Sequence, residues 1–160
     1  MASKRDIYAV KQRLIAYRNL ERHSDELINK LRMLEAVMYS INVPELSDMP
    51  RGGASIDKDK IGKLVIRKEE LEQEIGDALV EHNAEQAWVH KAIGGLPRWE
   101  ERYVLTYRYI YGMSWKRLNQ RIYGSRESFK ERQESYMRRC TRAHWRAMER
   151  IADRIETGEL

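Results

Sequence analysis

Two long stretches of this chain carry apolar residues at intervals of three and four, a spacing that places them on one face of an α-helix. The first stripe consists of Ile7, Val10, Leu14, Tyr17, Leu20, Leu27, Leu31, Leu34 and Met38. The second consists of Ile61, Leu64, Leu71, Ile75 and Ala78, and it is interrupted by Lys68 and His82. Only three prolines and one phenylalanine occur among 160 residues, which is poor material for a β-sandwich. The patterns predict an all-α protein.

The two stripes predict helices from about Ser3 to about Ser40 and from about Asp57 to about Ile93. Prolines and glycines between them predict a loop over 41–56, which is long enough to be either functional or mobile. Matching lengths favour a long antiparallel helical hairpin over residues 1–95. Two helices bury little apolar surface, so we expect this hairpin to form a homo-oligomer or to bind a partner protein.

Positive charge is concentrated in the C-terminal part of the chain. Residues 96–156 hold 15 Lys and Arg against 8 Asp and Glu, an excess of seven. Residues 1–95 hold 15 Lys and Arg against 16 Asp and Glu. Such a distribution is typical of a module that binds nucleic acid. The alternative, a solvated helix face, is less favoured for an excess of this size.

The residues 96–160 predict a helix-turn-helix followed by an extended last helix. Ser114 is a candidate N-cap for a short helix that ends near Ile122, and Gly124 follows in a tight turn. Ser125 is a second candidate N-cap, for a long Arg-rich helix from Arg126 to about Ile155. A plain helical bundle with a polar face is the alternative.

In this prediction the first turns of the long helix enter the major groove of duplex DNA, where Arg pairs with guanine, Gln with adenine and Glu with cytosine. Basic residues of the short helix then lie where DNA phosphates run. The predicted DNA-binding residues are Ser114, Lys116, Arg117, Arg121, Ser125, Arg126, Glu127, Ser128, Lys130, Arg132 and Gln133.

No pattern of a catalytic, metal or cofactor site appears in the sequence. Its histidines form no HExxH pair, its single cysteine, Cys140, has no Cys-rich zinc motif around it, and no P-loop or nucleophile elbow is present. We therefore expect no enzyme activity, no metal and no cofactor. No apolar run is long enough to cross a membrane, and the first residues form no secretion signal. The expected location is the cytoplasm of a bacterial cell.

Part of the C-terminal half resembles region four of sigma factors. The resemblance rests on Leu96-Pro97, then Val104-Leu105, Arg108-Tyr109, Gly112 and Ser114, in the order and spacing of that pattern. Tyr123 departs from it, because the sigma pattern has glycine there. The resemblance implies binding to promoter DNA and contact with RNA polymerase.

Over about residues 10–150 the chain also resembles small phage regulators of the ArpU and RinA type. The residues that carry this likeness are the loop Ser47-Asp48-Met49-Pro50-Arg51-Gly52-Gly53 and the pairs Arg108-Tyr109 and Ser114-Trp115. It implies a transcription regulator of phage late functions such as packaging and lysis.

These observations together predict a sequence-specific transcription regulator that binds double-stranded DNA and activates phage or prophage late genes. The N-terminal helices would oligomerise it or contact host RNA polymerase. One alternative is a sigma-like module that binds RNA polymerase with little DNA specificity. Another is a DNA packaging component similar to a small terminase subunit, although in those proteins the DNA-binding part usually precedes the hairpin.

Overall fold

A computed structural model of the protein describes residues 3–42 and 58–160, and all regular structure in these two ranges is helical. Its α-helices are α1 (Lys4–Asn42), α2 (Lys58–Gly94), α3 (Trp99–Leu105), α4 (Trp115–Tyr123) and α5 (Gln133–Glu156). A π-helical turn, Thr106–Ile110, continues α3. The all-α prediction is therefore confirmed. Almost all of the predicted 41–56 loop, including the motif at 47–53, lies outside the described residues.

The first helix begins where the sequence predicts. The Ser3 backbone N–H donates to Asp6 Oδ2 at 3.0 Å, and the Asp6 backbone N–H donates to Ser3 Oγ at 3.3 Å. This reciprocal pair satisfies two backbone donors that a helix start leaves without partners. Hydrogen bonds from Ser3 also hold the pKa of the Asp6 carboxyl below its usual value.

The chain folds into two compact units whose limits differ from the predicted division at residue 95. The first unit combines residues up to Leu20 with those from His82 onward, and the second unit spans Glu21–Glu81. The difference arises because the start of α1 and the end of α2 pack with the C-terminal helices rather than only with each other.

In the first unit α1 and α2 run antiparallel, as the order of their contacts requires. Arg13 makes a bidentate pair with Glu85 at 2.8 and 2.9 Å, and Tyr17 stacks on His82 with ring centroids 5.2 Å apart. All four helices other than α4 contribute to the main core of this unit. Its buried residues are Val10, Leu14, Tyr17, Val89, Ala92, Ile93, Leu96, Leu105, Tyr109, Ala147, Met148, Ile151 and Ala152.

The second unit is a pair of helices with a thin core. Leu27, Leu71 and Ala78 are buried, and Leu31, Leu34 and Ile75 pack against them. Lys68, which interrupts the predicted apolar stripe, places its Nζ 3.1 Å from Glu35 Oε1. That contact raises the pKa of Lys68 above its usual value.

The connection between α3 and α4 fixes where α4 begins. Gly112 ends the π-helical turn with a positive φ of 64°, a conformation that favours glycine. Arg18 donates to the Gly112 carbonyl at 3.1 Å, and Arg108 donates to the Met113 carbonyl at 2.7 Å. The guanidinium groups of Arg18 and Arg108 thus stabilise the bend that precedes Ser114.

Ser114 is the N-cap of α4, as predicted: its Oγ accepts from the Arg117 backbone N–H at 3.4 Å. We expect Ser114→Ala to lower the free energy of unfolding by about 1 kcal/mol, because the cap donor loses its partner. Urea denaturation measures this change. Ser125→Ala is the matched control, since Ser125 is exposed and caps no helix, and it should change stability by less than about 0.5 kcal/mol. Equal losses in the two variants would contradict the cap.

The predicted start of the last helix is wrong. Residues 124–132 form successive turns, and α5 begins only at Gln133, with Arg132 rather than Ser125 at its N-cap position. Aromatic packing explains the difference. Tyr136 of α5 stacks on Tyr123 at 4.8 Å and on Phe129 at 6.0 Å. These contacts bring both ends of the 124–132 segment together, which a continuous helix over those residues would not allow. The turn is therefore longer than the three or four residues of a standard helix-turn-helix.

Candidate nucleic-acid interface

An open groove of about 610 Å³ lies between α4, the turns at 124–132 and the start of α5. Eight of its eleven lining residues are polar or charged, and the full set is Lys116, Asn119, Gln120, Gly124, Arg126, Glu127, Phe129, Lys130, Gln133, Glu134 and Met137. Five predicted DNA-binding residues meet there: Lys116, Arg126, Glu127, Lys130 and Gln133. All five are exposed. The fold thus brings together side chains that are up to 17 positions apart in the sequence.

Asn119 joins the two helices at the floor of this groove. It is almost fully buried, and its Nδ2 donates to the Gln133 carbonyl at 3.1 Å. The Cys140 thiol donates to Asn119 Oδ1 at 3.8 Å. Burial raises the pKa of Cys140 to about 11, so the sulfur keeps its proton at neutral pH and acts as a donor. This small polar network fixes the spacing of α4 and α5 beneath the basic surface.

Arg126 is positioned by aromatic rings rather than by a helix. Its guanidinium lies 5.6 Å from the Tyr123 ring centroid and 6.0 Å from that of Tyr136. The Tyr123 hydroxyl donates to Glu100 Oε1 at 3.0 Å, which anchors the ring to α3. Cation–π contacts of this kind limit the movement of an exposed arginine. Arg126 therefore presents a restrained planar donor group to the groove.

The other predicted DNA-binding residues do not line the groove. Ser114 caps α4, and Ser128 exchanges a hydrogen bond of 3.2 Å with the Tyr136 hydroxyl. Arg117 and Arg121 are exposed one turn apart on another side of α4, where the Arg121 guanidinium lies 6.0 Å from the Tyr107 ring. The two remaining residues, Ser125 and Arg132, are exposed.

A second groove, which shares Met137 with the first, runs along the outer face of α5. Its lining consists of Ser135, Met137, Arg138, Thr141, Arg142, Trp145, Arg146 and Glu149. The sequence prediction missed this surface. Arg138, Arg142 and Arg146 are each four residues apart, a spacing that puts them on one side of a helix over roughly 12 Å. This four-residue spacing of arginines is the sequence pattern that predicts such a surface.

The charges along these two grooves are mostly positive. Residues 115–146 hold ten Lys and Arg against three Glu. Arg138 pairs with Glu134 at 3.7 Å, but Arg142 and Arg146 have no carboxylate partner within the described ranges. Cations without internal partners attract anions from solution and steer a polyanion to the surface. The arrangement can bind phosphates along its length.

A buried polar pair lies behind α4. The Tyr109 hydroxyl and His144 Nε2 are 3.0 Å apart, and the edge of Trp115 faces the His144 ring at 5.3 Å. Burial lowers the pKa of His144 to about 4, and nearby Lys11 and Arg108 add to the shift. The imidazole is therefore neutral at physiological pH and serves the packing of α4 on α5.

No family model, curated protein or solved structure matches this chain. Two further observations bear on function. Residues 3–42 and 58–160 contain no group of three or more His, Cys, Asp or Glu side chains placed to hold a metal ion. None of the described helices is long and apolar enough to cross a membrane.

Proposed function

We propose that this protein is a sequence-specific DNA-binding transcription regulator that activates late genes of a phage or prophage in the cytoplasm of a bacterial host. The adjoining basic grooves carry this proposal. They offer exposed cations over two helices, together with Gln and Glu side chains of the kind that read base edges. The resemblance to ArpU and RinA regulators supplies the assignment to phage late genes.

The phosphate contacts fall to Lys116, Lys130 and the arginines of α5 in this proposal. Sequence choice falls to Arg126, Glu127 and Gln133, which lie on the turn segment and the first turn of α5. Base reading thus starts from a turn held by tyrosines, rather than from a helix that begins at Arg126. Arg126 is the candidate for a bidentate contact with guanine, since its guanidinium is already restrained.

The second unit is the proposed protein-contact region, either for another copy of this chain or for host RNA polymerase. Large apolar side chains remain exposed on it, namely Met33, Val37, Tyr39, Ile66 and Val80. Met33 and Tyr39 are each 73% exposed. Apolar surface of this kind is typical of helical faces that a partner covers.

A selection of random duplex DNA with the purified full chain, at low and at physiological salt, tests the proposal. A recovered motif that survives the higher salt supports a sequence-specific regulator. The number and spacing of its half-sites indicate how many subunits bind together. Binding that vanishes with salt and leaves no motif contradicts sequence-specific regulation. That result would favour the sigma-like polymerase-binding module or the packaging component.

The double variant Lys116→Ala/Lys130→Ala should weaken binding to all duplexes alike. Each lost phosphate contact should reduce the slope of log K against log salt by about 1, because fewer counterions are released on binding. Fluorescence anisotropy over a salt series measures both quantities. Lys4→Ala/Lys91→Ala removes two exposed lysines elsewhere and is the matched control. An equal change in slope for that control, or weakening confined to one sequence, would count against the phosphate role.

A further inference from the structure

Four aromatic side chains form a continuous strip along α3 and its π-helical extension: Trp99, Tyr103, Tyr107 and Tyr111. Each ring contacts the next with a centroid separation of 5.7 Å. The strip spans roughly 18 Å at the rise of an α-helix. The π-helical turn keeps this spacing, since the Tyr111 backbone N–H donates to the Thr106 carbonyl five residues earlier at 3.0 Å.

The core of the protein does not account for this strip. Trp99 is 46% exposed, Tyr103 48% and Tyr111 65%. Of the four residues, only Tyr107 packs against a buried cluster of the described residues, the one around Leu118. The three other rings present aromatic surface to solvent, and Tyr107 connects Tyr103 to Tyr111 in one line. Scattered exposed rings, in contrast, would need no explanation.

Cations flank the strip, and the carboxylates of α3 are already engaged. Glu100 is ion-paired with Arg139 at 2.5 Å, and Glu101 is 1% exposed. Residues 98–123 hold six Lys and Arg against these two acids, and α4 contains no acidic residue. Arg121 lies over Tyr107, with Arg117 one turn away on the same side of α4. The surface around the rings is therefore positive.

We propose that the strip binds single-stranded DNA, with bases stacked on the rings and phosphates held by Arg117 and Arg121. Aromatic side chains beside a positive track are the standard means of binding unpaired bases. The class of ligand follows from the strip itself, and the choice of DNA over RNA rests on the proposed function. The two sites use different residues, because the duplex groove takes Lys116 and Gln120 from α4.

The test measures anisotropy of a labelled oligo-dT of about 12 nucleotides with the full chain and two double variants. Tyr103→Leu/Tyr111→Leu keeps apolar side chains but removes two ring faces, and should weaken binding by about 30-fold or more. Tyr103→Phe/Tyr111→Phe keeps the rings and should stay within about twofold of the parent. Circular dichroism and melting curves establish that the variants are folded.

Tyr8→Leu is the control, because it removes an exposed tyrosine outside the strip and outside the proposed protein-contact region. It should leave oligo-dT binding unchanged. The Tyr103→Leu/Tyr111→Leu variant should still bind duplex DNA. If the parent protein binds oligo-dT but does not bind duplex DNA, the proposed function is rejected and the strip is not.

Three results would overturn the inference. If the Tyr103→Leu/Tyr111→Leu variant binds oligo-dT as tightly as the parent, the rings do not carry the binding. Equal losses in the Leu, Phe and control variants would show that no specific stacking occurs. Tighter binding of oligo-rU than of oligo-dT would assign the strip to RNA.

Discussion

Replacing Arg150 by methionine should lower the free energy of unfolding by about 3 kcal/mol, although the Arg150 side chain is 40% exposed. The loss comes from its partner. Glu101 is 1% exposed, and its Oε2 lies 3.4 Å from Arg150 Nε. Neither carboxylate oxygen of Glu101 has a hydrogen-bond partner in the described structure. The positive charge of Arg150 therefore balances the negative charge of the buried Glu101 carboxylate. Urea denaturation at neutral pH measures the effect.

The second variant needed is Arg150→Met combined with Glu101→Met. It should recover most of the lost stability, because removing both members of a buried ion pair costs far less than leaving one charge alone. Arg138→Met is the matched control, since its partner Glu134 is exposed, and it should change stability by less than about 1 kcal/mol. A double variant no more stable than Arg150→Met would show that the pair does not compensate Glu101.

Acidification from pH 6.5 to pH 4 should remove about 3 kcal/mol of stability through His144 alone. The pKa of His144 is lowered to about 4 in the folded protein, whereas an unfolded chain has a histidine pKa near 6.5. Between these two values the unfolded state binds more protons, so stability falls as the pH falls. Well above pH 6.5 the imidazole is neutral in both states and the contribution is constant.

His144→Gln isolates this effect, because an amide can still bond with the Tyr109 hydroxyl but does not titrate in this range. The difference in unfolding free energy between the parent and this variant, measured from pH 7 to pH 4, should shrink by that amount. His23→Gln, at an exposed position, controls for the substitution itself. A difference that is flat with pH would mean that folding does not lower the pKa of His144.

Helical periodicity predicted the parts of this fold that depend on local pattern. Leu14, Tyr17 and Leu71 lie on the predicted stripes and are buried, because a helix cannot hide that face except against another element. The same reasoning identified the Ser114 cap, which needs only a serine and the residues just after it. Features that depend only on residues close together in the sequence could thus be predicted.

The start of α5 could not be predicted from local sequence pattern. Residues 126–132 are polar apart from Phe129 and follow a serine, a pattern that fits a capped helix as well as a series of turns. The choice is made by Tyr136, whose ring stacks on Tyr123 thirteen positions earlier. No local propensity reports such a contact. The candidate site was consequently predicted in part: Lys116 and Gln133 do share a groove, whereas Arg117 and Arg121 face elsewhere.

The shared core of the first unit has a consequence for how the chain acquires its structure. Val10 and Leu14 of the first helix pack in one cluster with Met148 and Ile151 of the last. Contacts between such distant positions must close a long loop before they contribute any stability, which slows folding. On the ribosome, Val10 and Leu14 of α1 cannot complete their packing until α5 has been synthesised. Apolar surface that is exposed during that interval favours aggregation.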